Sequence, residues 1–116
     1  MLNINKPTLV IDKTLCMSNI HNMVVKAQKH GLKFRPHFKT HQSATIGNWF
    51  RDAGVETITV SSVSMAKYFS QNGWDDITIA FPVNILEAAA IKELAERIRL
   101  NVLVENVEAL TMLKSK

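Results

Sequence analysis

Two histidines, a lysine and an arginine crowd into one short run, Arg35-Pro36-His37-Phe38-Lys39-Thr40-His41. The run lies between helical patterns, which predicts a strand over residues 34–41. Successive side chains of a strand point to opposite faces. Arg35, His37, Lys39 and His41 then share one face, and Phe34, Pro36, Phe38 and Thr40 share the other. The apolar face can pack against helices. The cationic face is costly to bury unless an anion offsets it. The strand is therefore either a solvated basic edge or a site that holds an anionic ligand around Lys39.

Geometry narrows the chemistry. On a strand, roughly 13 Å separates the attachment points of His37 and His41. Metal–ligand bonds are only about 2 Å long, so the two imidazoles do not easily share one ion, and no metal site is expected here. Cationic neighbours can instead favour the neutral form of the Lys39 amine. A neutral amine is what a Schiff-base lysine needs. The row alone leaves the basic edge and the reactive lysine both open.

The elements that must position this run follow from periodicity. Residues 8–11 read as a short apolar strand, and Asp12 or Thr14 can cap the helix behind it. Ile20, Met23, Val24 and Ala27 form that helix's buried face, and Gly31 stops it. Ser43 can cap a second helix with Ile46, Trp49, Phe50 and Ala53 as its apolar stripe, closed by Gly54. Residues 57–60 alternate as a strand, and Ser62 or Ser64 caps the next helix. Ser61 and Ser62 stand just beyond that strand, where hydroxyls either cap a helix or touch a ligand. Residues 77–81 are another strand, with Pro82 at its end. Asn84 and Glu87 then suggest a near capping box for a helix lined by Leu86, Ala90, Ile91, Leu94 and Ile98. Residues 100–104 are the last strand, and Asn106 caps a final helix carrying Leu110 and Leu113.

Strand ends fall near His37, Val60, Phe81 and Val104, at a spacing of about 22 residues. So even an alternation of strand and helix predicts an α/β protein with parallel strands and right-handed crossovers. Four such units correspond to the N-terminal half of a (β/α)8 barrel, whose reactive groups sit at the C-terminal strand ends. Lys39 falls at the end of the first strand.

Composition excludes several alternatives. With 116 residues the chain allows one domain of modest core, and 47% hydrophobic residues argue against disorder. The net charge of +4 raises nucleic acid as a partner, but no aromatic-interleaved basic run, zinc spacing or RNA-binding motif accompanies it. Cys16 is the one cysteine, so no internal disulfide forms, and it reads as a small hydrophobe. Residues 1–6 lack an apolar signal-peptide core, and no run approaches the roughly 20 apolar residues that span a bilayer. No membrane association is expected, and the expected location is cytoplasmic.

The motif Arg35-Pro36-His37-Phe38-Lys39-Thr40-His41 resembles the Arg-Pro-His-x-Lys-Thr-His signature of the D-threonine aldolase and D-serine dehydratase group. That group lies among the alanine-racemase-like, fold type III, pyridoxal-phosphate enzymes. Residues 7–12, 54–64 and 75–83 resemble its N-terminal segment and its second and third barrel strands. The chain departs from the pattern at Gln42-Ser43-Ala44, where the family commonly has a basic residue and a proline. The resemblance implies that residues 1–116 are an incomplete alanine racemase-like N-terminal barrel domain without the family's C-terminal β domain. It implies pyridoxal 5'-phosphate linked to Lys39, with Arg35, His37, Thr40 and His41 as cofactor-binding residues. The implied substrate is a small β-hydroxy-D-amino acid, cleaved as by D-threonine aldolase to glycine and an aldehyde. D-serine dehydration, racemisation and a non-catalytic pyridoxal-phosphate homeostasis role are the alternatives. The family's divalent metal would have its ligands outside this chain, the full-length protein would be a homodimer, and the 116-residue chain alone would be inactive.

Overall fold

The computed structural model describes residues 3–115. Met1 and Leu2 of the N-terminal stretch, and Lys116 of the charged tail, lie outside the described residues. Helix α1 runs over Lys13–Lys29. Its cap is Asp12, whose carboxylate accepts from the Leu15 amide at 2.9 Å. Helix α2 (Ala44–Asp52), strand β1 (Ile58–Val60), helix α3 (Val63–Gln71) and strand β2 (Asp76–Pro82) follow. Helix α4 (Ala88–Ala95), strand β3 (Arg99–Leu103) and helix α5 (Val107–Lys114) complete the order. Ser43, Ser62 and Asn106 cap α2, α3 and α5 through their side chains.

The three strands form one parallel sheet in the order β1-β2-β3, each followed by a helix. Register explains why the helices cover one face. Ile58 pairs with Ile77 and Ile77 with Leu100; Val60 pairs with Ile79 and Ile79 with Val102. These side chains point the same way and pack with Ala66, Phe69, Ile91 and Leu94 into the core. The alternate positions make a polar row on the opposite face, in which His37, Thr59, Thr78 and Asn101 are successive register partners. The alternating βα pattern of the sequence is therefore present, with a parallel sheet.

Several expectations are corrected. Residues 8–11 are not a strand; Leu9 is 82% and Val10 55% exposed. An apolar tetrapeptide becomes a strand only where a neighbour supplies ladder hydrogen bonds, and none is beside it among the described residues. Residues 34–41 are not a continuous strand either. The segment is extended as far as His37, which makes one parallel bridge to Thr59, while the Pro36 carbonyl accepts from the Thr59 amide at 2.8 Å. The chain then enters a 3-10 turn over Phe38–Thr40. Asn84 caps a short 3-10 turn rather than α4, and Leu86, expected inside, is 94% exposed. Met23 of α1 faces solvent, leaving Ile20 and Val24 as that helix's buried residues.

Phe38 organises the packing around the turn. It is fully buried, with ring centroids 4.9 Å from Phe69, 5.1 Å from Trp74 and 5.2 Å from Phe50. Gly47 of α2 lets the helix approach this cluster. A Cβ there would lie 3.2 Å from Phe38 Cε2 and 3.4 Å from Trp74 Nε1. Gly47→Ala should gain about 1 kcal/mol of helix propensity yet lose about 1–3 kcal/mol to overpacking, because Phe38 is enclosed and has no room to yield. The expected net result is destabilisation of about 1 kcal/mol, read as a lower denaturant midpoint at unchanged slope. A stabilised variant would show that the ring cluster yields.

Candidate functional site

The motif side chains do not share one face. Arg35 reaches across to the beginnings of β1 and β2. Its Nη1 donates to the carbonyls of Ile58 at 3.1 Å and Asp76 at 3.2 Å, and its Nη2 donates to Asp76 Oδ1 at 2.6 Å. The Lys33 ammonium lies 3.6 Å from the other carboxylate oxygen. Burial by itself would raise the Asp76 carboxyl. The hydrogen bond and charge of Arg35, with the charges of Lys33 and Arg99, outweigh it and hold the group below the usual carboxylate range.

His37 marks the opposite, C-terminal end of the sheet. Its Nδ1 accepts from the Lys39 amide at 3.2 Å and so caps the 3-10 turn. In the neutral ring the hydrogen then sits on Nε2, which lies 3.5 Å from Ser61 Oγ just beyond β1. Burial, reinforced by the nearby Lys39 charge, lowers the His37 pKa. The imidazole is thus a neutral donor at the strand ends.

Lys39 follows on the turn and is exposed. Among the described residues its ammonium has no hydrogen-bond or ion-pair partner. Thr40 is exposed beside it, and its hydroxyl donates to the His37 carbonyl at 3.3 Å. His37 and Thr40 line an open groove of about 650 Å³ whose walls include Val10, Cys16, Phe34 and Phe50.

His41 turns inward. Its ring lies 4.5 Å from Phe38 and stacks on Phe50 at 5.8 Å, while its Nδ1 accepts from the Ser43 amide at 3.1 Å. Its Nε2 is buried and has no partner among the described residues, and burial lowers its pKa. The structure therefore gathers His37, Lys39 and Thr40, and separates Arg35 and His41 from them. The expected row of cations flanking Lys39 is corrected, because the extended geometry ends at His37. Pro36 has no amide hydrogen for a ladder, and the side chain of His37 starts the turn.

Asp76 was invisible to periodicity because it precedes the apolar run of β2. Its signal is an acidic residue with the parity of Thr78, on the same polar side of the sheet as a motif arginine. Ser62 caps α3 through the Met65 amide, and Ser61 Oγ lies 3.5 Å from His37 Nε2. No group of metal-ligating side chains occurs among the described residues, and no described helix is long and apolar enough to cross a membrane.

No family model matches the chain. Among curated proteins, it is 35% identical over 80 residues to D-threo-3-hydroxyaspartate dehydratase of Delftia sp. (strain HT23), a match covering 69% of this chain and 21% of that protein. It is 31% identical to D-serine dehydratase of Dictyostelium discoideum, over 93% of this chain and 29% of the relative. It is 29% identical to D-threonine aldolase of Arthrobacter sp, over 96% of this chain and 30% of the relative. The chain spans less than a third of the length of these relatives, in their N-terminal part. The solved structure of the Delftia dehydratase superposes with a TM-score of 0.91 at 29% identity, over 97% of this chain and 30% of that one. A D-threonine aldolase from Filomicrobium marinum, at 24% identity and a TM-score of 0.90, shares the fold. The fold is thus that of part of an alanine racemase-like barrel enzyme.

The two depressed histidines make stability acid-sensitive. The unfolded chain takes up protons near the ordinary histidine value of 6.5, whereas folded His37 and His41 resist them. Their contribution is present above that value and is lost as pH falls through the lowered folded values. Asp76 acts in a separate, more acidic window, below its ordinary value of 3.8. The melting temperature should fall between about pH 7 and pH 5. His41→Phe, which keeps a ring and removes one titration, should make that fall shallower. Parallel pH profiles would show that His41 does not contribute.

Proposed function

We propose that this chain, a homologue of the N-terminal part of D-amino-acid dehydratases and an aldolase, carries the cofactor lysine of a pyridoxal-phosphate lyase. The observation that carries the reading is the Lys39 ammonium. Among the described residues it is without a hydrogen-bond or ion-pair partner, at the C-terminal end of a parallel sheet and inside an Arg-Pro-His-x-Lys-Thr-His run. A lysine kept for structure is normally paired or solvated at random. This one is delivered to the strand ends, where α/β barrels place their chemistry, by a capped turn behind a fully buried phenylalanine.

The residues fit an aldehyde cofactor. Lys39 would supply the amine for the covalent link and, once released from it, a base. His37 is a neutral Nε2–H donor beside it, and Thr40 offers a hydroxyl at the mouth of the groove. Arg35 and His41 serve the same site from behind, by holding the segment. Bound pyridoxal phosphate supplies an electron-accepting ring that takes up the pair released when a bond to Cα breaks.

The substrates named in the relatives share one chemistry: 3-hydroxyaspartate, serine and threonine are all β-hydroxy amino acids, acted on there as D-enantiomers. A β-hydroxy-D-amino acid is accordingly the proposed substrate class for the enzyme to which this chain contributes. Aldol cleavage to glycine and an aldehyde is the first reading. Loss of the β-hydroxyl as water is the second, favoured by two of the three named relatives being dehydratases. Product analysis separates them, since cleavage yields glycine and an aldehyde whereas dehydration yields a keto acid and ammonia.

Incubation with pyridoxal phosphate and borohydride should label Lys39, and the label should be absent in Lys39→Arg. Arginine retains the charge but stays protonated and cannot form the link. The variant should keep a native circular dichroism spectrum and, in the active enzyme, lose turnover by orders of magnitude. Label on Lys67 or Lys92 instead, or full activity in Lys39→Arg, would refute the assignment.

A further inference from the structure

The arginine of the lysine motif points away from the lysine. Arg35 binds at the beginnings of β1 and β2, while Lys39 lies past their ends, so the short stretch 35–38 spans the sheet between them. That stretch is weakly held for a strand. Among the described residues its ladder contact is one bridge, His37 to Thr59, with one backbone hydrogen bond from Thr59 to Pro36. A continuous strand would have several such bonds to fix its depth along the neighbour. Further fasteners are the burial of Phe38, the contacts of Arg35, the approach of His37 Nε2 to Ser61 Oγ at 3.5 Å, and the Thr57 hydroxyl, which donates to the Phe34 carbonyl at 3.3 Å.

The Arg35 contacts are directional. One guanidinium nitrogen donates to two carbonyls on different strands, and another donates to the Asp76 carboxylate. A rigid planar fork held by three acceptors fixes both the depth and the rotation of the residue that bears it. The pair is shielded, with side-chain exposures of 26% for Arg35 and 12% for Asp76. Asp76 is further fixed by Lys33, and by Asn101 Nδ2 at 3.5 Å; Arg99 adds its charge to the surroundings. The carboxylate is therefore an anchor seated in the sheet, and Arg35 is the arm that ties the lysine segment to it.

We propose that Asp76 is a positioning residue for Lys39, acting through Arg35. The inference rests on the cofactor-lysine reading for its purpose, but the positioning itself is measurable without cofactor. A purely structural ion pair, once broken, would lower stability everywhere. A positioning pair would loosen residues 38–42 and leave β2, β3 and α3 protected.

The test is amide hydrogen exchange on the protein and its variants, with borohydride trapping as a second readout. In Asp76→Asn, exchange of residues 38–42 should rise about tenfold with the rest of the sheet unchanged. The yield of pyridoxal phosphate trapped on Lys39 should fall by a similar factor. Asp76→Glu should restore part of both, and Lys33→Met, which removes only the exposed partner, should change neither. Arg35→Met/Asp76→Leu removes the pair without stranding a charge, and should keep the fold while losing trapping. Unchanged exchange at 38–42 in a folded Asp76→Asn protein would overturn the proposal. So would loss of protection throughout both the single and double variants, since the pair would then support the whole fold. A parent protein that traps no cofactor on Lys39 would instead overturn the cofactor reading, and the exchange result would still decide the role of Asp76.

Discussion

The burial of Phe38 is the constraint from which the arrangement of the site follows. Its ring is enclosed by Phe50, Phe69, Trp74 and His41. Enclosing an aromatic side chain stabilises the fold by about 1.5–3 kcal/mol. The backbone on either side must accommodate that insertion. The extended segment stops one residue before it, and the turn begins on it. Lys39, next in the chain, is thereby lifted to the strand ends while its neighbour stays in the core. An exposed amine at the strand ends, and a side chain that must not meet water, are placed by one peptide unit.

The same separation runs through the sheet. The face toward the helices is built from Ile58, Val60, Ile77 and Ile79, and the opposite face carries His37, Thr59, Thr78 and Asn101 in one row. An apolar sheet face and a polar one cannot exchange roles without a one-residue slip, which would turn every side chain over. Register is therefore strongly specified. The charged pair Arg35 and Asp76 lies on the polar side, where hydrogen-bond acceptors from two strands compensate for its desolvation. The charges that the motif gathers in sequence are thus dispersed in space. Arg35 is neutralised at one end, and Lys39 is left without a partner among the described residues at the other.

That dispersal separates this site from a simple basic patch. The imidazole nearest Lys39 is held neutral by burial and by the lysine itself, and the second imidazole is withdrawn into the aromatic cluster. The relatives, all acting on β-hydroxy-D-amino acids by name, share this region of the fold with the chain at 29–35% identity. Chemistry and scaffold point the same way here: a lysine at the strand ends, hydroxyl and imidazole donors beside it, and an apolar groove adjoining them.

By itself the sequence determined the alternation of strands and helices, because hydrophobic period is a local property. The stripe Val63, Ala66, Phe69 and the alternation at Thr57 to Val60 are legible without neighbours. The caps Ser43 and Asn106 are legible for the same reason, since each acts within three residues, while the structure decides for Asp12 over Thr14 and for Ser62 over Ser64. Lys39 is singled out as a candidate by its motif. Tertiary structure alone decided where the side chains around it go. Residues 8–11 have the composition of a strand but no partner to pair with, and Leu86 has the spacing of a core residue but sits on a turn outside α4. The strand reading of 34–41 failed at Phe38, because no local rule announces that an aromatic cavity formed by α2, α3 and Trp74 will take that ring. Asp76 came to light only once three neighbouring segments were laid side by side, since Arg35 reaches across β1 to a residue 41 positions away. Local patterns set the elements; the long-range pairings, which no short window contains, set the site.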